Sequence, residues 1–337
     1  LTNWGARVLA TDDARTELPL SKPPLEELVE ALNGAELSSQ TVIPSTLVYG
    51  LSDLTAEELG AIEPVWMVLP AVVKHRVLRA LNESSEAMFE LNYREIALRC
   101  LSDESSLVRS TSIELLWMDE SVDTMQKLLA LAESDPDYSV RTGALESLGR
   151  FILLGEYGDI PAELAAEAQE LARRMHTDLR QSVEIRRRAL EAFANSSHPE
   201  VKALIRAAYA DGNHELKLGA LFAMGRTCSK EWRSLLMDEL ESADSECVYE
   251  AIRACGQIQL KESVQRIAEF TLGDDQDLQM MAIWSLGEIG GKRAFEILSS
   301  LEENADDDEI ANALDEALDA AGFSLSFASL GLDLDDE

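Results

Sequence analysis

Apolar residues recur along the chain in blocks that share one spacing. The clearest five run 140–149, 185–194, 216–225, 247–256 and 278–287. They align on Ala144, Ala189, Ala220, Ala251 and Ala282, with apolar side chains at −4, 0, +1 and +4 from that alanine. This is one stripe of a 3.6-residue period, so each block predicts an amphipathic helix. Position +3 is small (Ser147, Ala192, Ala223, Ala254, Ser285), which lets another helix approach closely. Glycine follows at 149, 225, 256 and 287, where a left-handed C-terminal cap is expected. Between blocks lies a second amphipathic segment, at 232–240, 263–271 and 294–301. Acidic turns at 135–137, 242–244 and 274–275 put carboxylates at the start of the next helix, where its dipole favours them.

The last three intervals between the shared alanines are each 31 residues, and the first is 45, so an insertion of 14 residues falls near 154–166. An earlier copy begins at Val108-Arg109, and a weaker later copy at Ile310. The unit is two antiparallel helices and a short turn. One such pair cannot bury its stripe alone, so stacked pairs must share a continuous core. The expected fold is all-α: a right-handed α-solenoid (superhelix) of about seven repeats of 31–32 residues. Residues 1–60 keep no clear period and read as a diverged N-terminal cap with an extended lead-in. Within them 24–32 predicts a short helix, and Thr55 with Glu58 makes a capping box. Segments 71–81 and 93–101 read as an early, diverged helix pair. The solenoid spans 61–322. Residues 323–337 read as a mobile acidic tail, because from 324 apolar and acidic residues alternate without a helical stripe. The stretch 294–337 holds 14 acids and no Lys or Arg.

The block Val140-Arg141-x-x-Ala144-x-x-x-Leu148-Gly149, preceded by Asp135-Pro136-Asp137, resembles short HEAT repeats of the phycobilin-lyase type. The resemblance covers roughly residues 70 to 322. It implies a scaffold that binds a protein or peptide on a concave surface. It also implies, as an alternative, an enzyme or enzyme subunit such as a bilin chromophore lyase. Tetratricopeptide and ankyrin repeats fit less well, since the period is below about 33–34 residues and no Thr-Pro-Leu-His turn occurs.

Charge narrows the partners. Of 337 residues 63 are acidic and 29 are Lys or Arg, a formal net charge of −34. Such a chain repels phosphates and anionic membrane, so neither nucleic acid nor membrane is an expected partner. Nucleic-acid binding, as in HEAT-like DNA glycosylases, would rest on one Arg cluster alone. The longest apolar run, 65–73, is broken by Pro70 and falls short of the ~20 residues a membrane span needs. Residues 1–5 show no signal-peptide pattern, and the cytoplasm is the expected location. Of Cys100, Cys228, Cys247 and Cys255, none forms a C-x-x-C pair, and three sit inside apolar helical patterns as buried thiols.

The sequence offers little chemistry. HEAT-type iron hydroxylases place His-Glu dipeptides on matching repeats. Here one exists, His214-Glu215, and the matching positions hold Val183-Glu184, Ser245-Glu246 and Gln276-Asp277. His214 therefore reads as an exposed capping residue. No phosphate-loop, nucleophile-elbow, zincin or dinucleotide motif occurs. No catalytic residue, metal or cofactor is expected.

The register points instead to a surface. Positions −2 and +2 lie four apart, opposite the core stripe. Their occupants are Thr142/Glu146, Arg187/Glu191, Leu218/Phe222, Tyr249/Arg253 and Met280/Trp284, and the next turn adds Arg226, Gln257 and Glu288. The last three repeats thus present aromatic, Arg and Met side chains, a composition enriched at protein-binding hot spots. The competing readings are half-burial against a neighbouring repeat, or cover by Leu325 and Phe327. A second feature is the Arg cluster: Arg173, Arg174, Arg180, Arg186, Arg187 and Arg188. Arg186 holds the position shared by Arg109, Arg141 and Lys217 and is expected to pair with inter-repeat carboxylates. The others form an acidic-partner patch or neutralise Glu167, Glu170 and Glu184. The expected partner is a protein or peptide, and the chain is expected to be monomeric by itself.

Overall fold

The computed structural model describes residues 22–34, 42–303 and 307–329. Among the described residues every regular element is a helix. The first four are α1 (Leu25–Asn33), α2 (Ser45–Gly50), α3 (Ala56–Val68) and α4 (Ala71–Ala87). Seven successive pairs follow: α5 (Arg94–Cys100) with α6 (Ser106–Leu115), α7 (Val122–Ser134) with α8 (Tyr138–Tyr157), α9 (Ala162–Thr177) with α10 (Val183–Phe193), α11 (Val201–Ala210) with α12 (His214–Arg226), α13 (Arg233–Glu239) with α14 (Ser245–Gln257), α15 (Val264–Phe270) with α16 (Gln276–Ile289), and α17 (Gly291–Glu302) with α18 (Asp308–Ser329). Two compact units divide the chain, with the boundary between Leu171 and Ala172 inside α9. No helix among the described residues is long and apolar enough to cross a membrane.

In the first unit α1 packs on α2 and α3, and α4 lies beside α6, which in turn lies beside α8. The expected pairing of 71–81 with 93–101 is therefore corrected. The partner of α5 is α6, while α4 takes the place of an earlier second helix. The Thr55–Glu58 capping box is present in both directions, at 2.8 and 3.2 Å. The insertion near 154–166 lengthens a hairpin instead of adding a loop. α8 runs on to Tyr157, Gly158 turns the chain at φ 81°, and Ile160 is buried under the turn. A Cβ on Gly155 would stand 2.3 Å from that of Ala165, so α8 and α9 touch there.

In the second unit the second helices α10, α12, α14, α16 and α18 lie side by side in chain order. The predicted stripe is the core. At −4, 0, +1 and +4 every side chain of the blocks 140–149, 185–194, 216–225 and 247–256 is buried. In the block 278–287 Leu278 alone is half-buried. Five second helices, α8, α10, α12, α14 and α16, open with a side-chain cap, from Asp137, Ser182, Asn213, Asp244 and Asp275.

The glycines do a different job from the expected one. Gly149, Gly225, Gly256 and Gly287 are helical and buried, not left-handed caps. A Cβ on Gly225 would lie 3.0 Å from Ala254 Cα, one on Gly256 3.1 Å from Ser285 Cα, and one on Gly287 2.9 Å from Ala317 Cα. The glycine at +5 of one helix thus receives the small residue at +3 of the next. The left-handed turn comes three residues later, at Cys228, Gln259 and Gly290, all with positive φ and spaced by the repeat.

The position three before the shared alanine also departs from expectation. Arg141 Nε donates to Ala132 O at 3.1 Å, Arg186 Nε to His176 O at 3.1 Å, and Gln279 Nε2 to Thr271 O at 2.8 Å. These are carbonyls at the end of the preceding helix, which leaves its last carbonyls without helical partners. Arg109 and Lys217 find the expected carboxylates, Asp135 and Glu239, each at 2.7 Å. At the C-terminus α18 runs unbroken to Ser329, so the first residues of the expected tail are helical; 330–337 and the lead-in 1–21 lie outside the described residues.

Two predictions follow from this packing. Gly287→Ala forces a Cβ against backbone and is expected to lower stability by about 1–3 kcal/mol. Gly143→Ala, with nothing within 4 Å of the new Cβ, is expected to raise it by about 0.5–1 kcal/mol through helix propensity. Chemical denaturation of the two variants checks the opposite signs. The second concerns His176. Its Nδ1–H donates to Arg186 O at 2.8 Å, and burial holds its pKa below the ordinary 6.5. The unfolded imidazole takes up a proton near its ordinary pKa, and the folded one only at lower pH. This stability is present above pH ~6.5 and is lost as pH falls towards the depressed pKa. His176→Gln is expected to flatten the pH dependence of melting in that window; a profile parallel to the parent's contradicts it.

Candidate protein-binding surface

The candidate surface belongs to α12, α14 and α16, whose first and last turns are fixed by caps and whose spacing is fixed by the glycine contacts. The +2 and +5 positions therefore fall in rows across neighbouring helices. Phe222 of α12 and Arg253 of α14 meet directly, with the guanidinium 3.9 Å from the ring centroid. Glu250 holds the other side of Arg253 at 2.5 Å. Burial pushes the Glu250 carboxyl up, Arg253 pulls it down, and Glu191 pushes it up again. Tyr249 is half-buried, and its phenol is pushed up by burial and by Glu250. A Cβ on Gly256 would lie 3.0 Å from Trp284 Cζ3, so the indole lies over bare backbone while the residue stays 38% exposed. Met280 is half-buried and Glu288 is exposed.

Not every expected member reaches solvent. Leu218 is only 4% exposed, which corrects its placement on an open strip. It sits near the start of α12, a helix flanked by α10 on one side and α14 on the other, and this draws an apolar side chain inward. Arg226 is bound to Asn195 Oδ1 at 2.6 and 2.8 Å. Gln257 packs against Gly225, where its buried Oε1 has no hydrogen-bond partner. The exposed part of the surface is thus narrower than the spacing suggests: Trp284 and Glu288 are exposed, and Phe222, Tyr249, Arg253 and Met280 beside them are half-buried. Cover by Leu325 and Phe327 concerns side chains outside those described.

The Arg cluster is neutralised from within. Arg173 faces Glu200 at 3.5 Å, Arg180 bonds Asp178 at 2.9 Å, and Arg188 bonds Glu184 and Glu191 at 3.2 and 3.0 Å. Arg187 bonds Glu191 at 2.8 Å and Glu215 at 2.7 Å. Burial opposes the charge on Arg187, but the two carboxylates win and hold it protonated. Of the expected partners Glu184 is used here, and Glu170 and Arg174 have contacts of their own. The buried pair Arg187–Glu191 lies against Gly219 of α12, so in this repeat −2 and +2 are packing positions.

His214 also differs from expectation. The cap of α12 is Asn213, and His214 is the first helical residue. Its Nε2 lies 2.8 Å from Asp244 Oδ2, at the start of α14. Sequence reading compared His214 with Ser245, one repeat on, and missed that it reaches the neighbouring cap. Aligning the caps 213, 244 and 275 on the repeat would have exposed that pairing.

One family profile and several solved structures are similar to the chain. The HEAT-repeat family profile matches residues 233–319. Among curated proteins none matches the chain. Three solved structures are similar to it. The complex of CpcE and CpcF of phycocyanin lyase from Nostoc sp. PCC7120 has 17% identity and a TM-score of 0.45, covering 68% of this chain and 94% of that one. Human deoxyhypusine hydroxylase has 14% identity and a TM-score of 0.36, covering 89% and 100%. The karyopherin Kap121p bound to the SUMO protease Ulp1p has 14% identity and a TM-score of 0.46, covering 91% of this chain and 39% of that one. The profile assigns residues 233–319 to HEAT repeats, and the successive helix pairs on either side of that segment have the same two-helix form.

Proposed function

We propose that this HEAT-repeat solenoid is a non-catalytic scaffold that binds a protein or peptide through the exposed face of α12, α14 and α16. The observation that carries the reading is Trp284, a large aromatic left 38% exposed on a helix whose other apolar side chains are largely buried. Beside it stand Arg253 on the Phe222 ring, half-buried Tyr249 and half-buried Met280. Aromatic, Met and Arg side chains that are already held in place lose little freedom on docking, which is why they dominate binding energies. A repeat array suits this work, because each repeat adds one or two side chains to an extended surface. The partner binds as a folded protein or an extended peptide, and the internally paired Arg cluster is not its main contact.

The test is an affinity capture from native lysate with the intact chain and with a Phe222→Ala, Arg253→Ala, Trp284→Ala triple variant. The two must show equal helical content and melting. The expected result is a partner captured by the first, lost by the second, and protecting backbone amides of α14 and α16 from hydrogen exchange. Identical partner lists, or protection elsewhere on the chain, would contradict the reading.

A further inference from the structure

His214, Asp244 and Cys247 come from two neighbouring repeats, and one donor atom from each lies within 4.8 Å of the others. We propose that these three residues form a binding site for a divalent transition-metal ion of the zinc class. His214 Nε2 and Asp244 Oδ2 are 2.8 Å apart, and Glu246 Oε2 stands 3.6 Å from the same nitrogen. The carboxylate is fixed from behind. Asp244 Oδ1 accepts the backbone N–H groups of Glu246 and Cys247 at 3.0 and 3.3 Å, which turns Oδ2 towards the imidazole. Such outer hydrogen bonds orient ligands in metal sites generally.

The repeat supplies an internal comparison. At the equivalent interface one repeat on, the positions of His214, Asp244 and Cys247 are held by Ser245, Asp275 and Leu278. The cap is kept and the nitrogen and sulfur donors are gone. The −4 stripe position, apolar at Leu216 and Leu278, carries a thiol only where a histidine faces it. A hydrogen-bonded His–Asp pair between repeats needs no third donor; a metal site does.

The donor set decides the ion. Thiolate, imidazole and carboxylate together suit zinc or cobalt, whereas magnesium and calcium take oxygen ligands. Three protein donors leave a fourth tetrahedral position for Glu246 or a water. His214 and Asp244 are about two-fifths exposed, which gives the ion a way in, while Cys247 is buried. Lys217, the cation facing Cys247, is held by Glu239 at 2.7 Å. On binding, the Cys247 S–H bond breaks and its proton leaves to solvent, the His214 Nε2 proton is exchanged for one on Nδ1, and the sulfur and Nε2 electron pairs form the bonds to the ion; no electron is transferred.

The test uses the full chain carrying Cys228→Ser, which removes the exposed thiol, stripped with chelator and titrated with Co²⁺. The expected result is one ion per chain, with a sulfur-to-cobalt charge-transfer band and tetrahedral visible bands, both bleached by Zn²⁺. Adding Cys247→Ser should abolish the charge-transfer band. Adding His214→Gln, a surface change that leaves the fold intact, should weaken Co²⁺ binding by at least about tenfold. Zn²⁺ should raise the melting temperature of the parent and not of either variant. Absence of the band from the Cys228→Ser chain, its survival in the Cys247→Ser chain, or unchanged affinity in the His214→Gln chain would overturn the proposal.

Discussion

From α12 to α18, neighbouring second helices meet almost backbone to backbone, at Gly225, Gly256 and Gly287. A helix pays for glycine with about 1 kcal/mol relative to alanine, so Gly225, Gly256 and Gly287 are unfavourable by local propensity alone. They remain helical because the small residue of the next repeat occupies the space a Cβ would need. Once that approach is fixed, the rest is constrained. The stripe at −4, 0, +1 and +4 must face the first helices, and the chain must turn back three residues after each glycine. The residue at −3 is brought over the end of the preceding helix, where it satisfies an orphan carbonyl.

The same constraint creates the two surface features. Close helices bring +2 of one repeat beside +2 of the next, which is how Arg253 reaches the Phe222 ring. They also bring the first helical residue of one repeat to the cap of its neighbour, which is how His214 reaches Asp244. Where the approaching side chains are charged and complementary, as at Arg187 and Glu215, they close over the seam. Where one is a large indole over glycine, part of the ring is left outside. A repeat array can therefore vary its surface chemistry without touching the contact that holds it together.

Much of the fold was legible in the sequence, because it rests on strictly periodic local signals. The alanine register marked the buried stripe, and the acidic turns marked the caps. The glycines were legible as positions but not as roles. A helix-ending glycine and a helix-packing glycine look alike in one sequence, and only the residue it abuts tells them apart. The surface was half legible. Spacing placed Phe222, Tyr249, Arg253 and Trp284 on one face. It could not foresee that Leu218 is buried or that Arg226 is bound to Asn195, because both depend on what the neighbouring helix offers. The meeting of His214 with Asp244 and Cys247 was missed for the same reason.

The contact between successive second helices is tested most directly by a double-mutant cycle at Gly256 and Ser285. Chemical denaturation would compare Gly256→Ala, Ser285→Gly and the double variant with the parent. If the two positions share one space, removing the Ser285 side chain relieves the crowding that Gly256→Ala introduces, and the coupling energy exceeds about 0.5 kcal/mol. Changes that add to within about 0.3 kcal/mol would mean that the helices are held apart by something else, and would contradict the account.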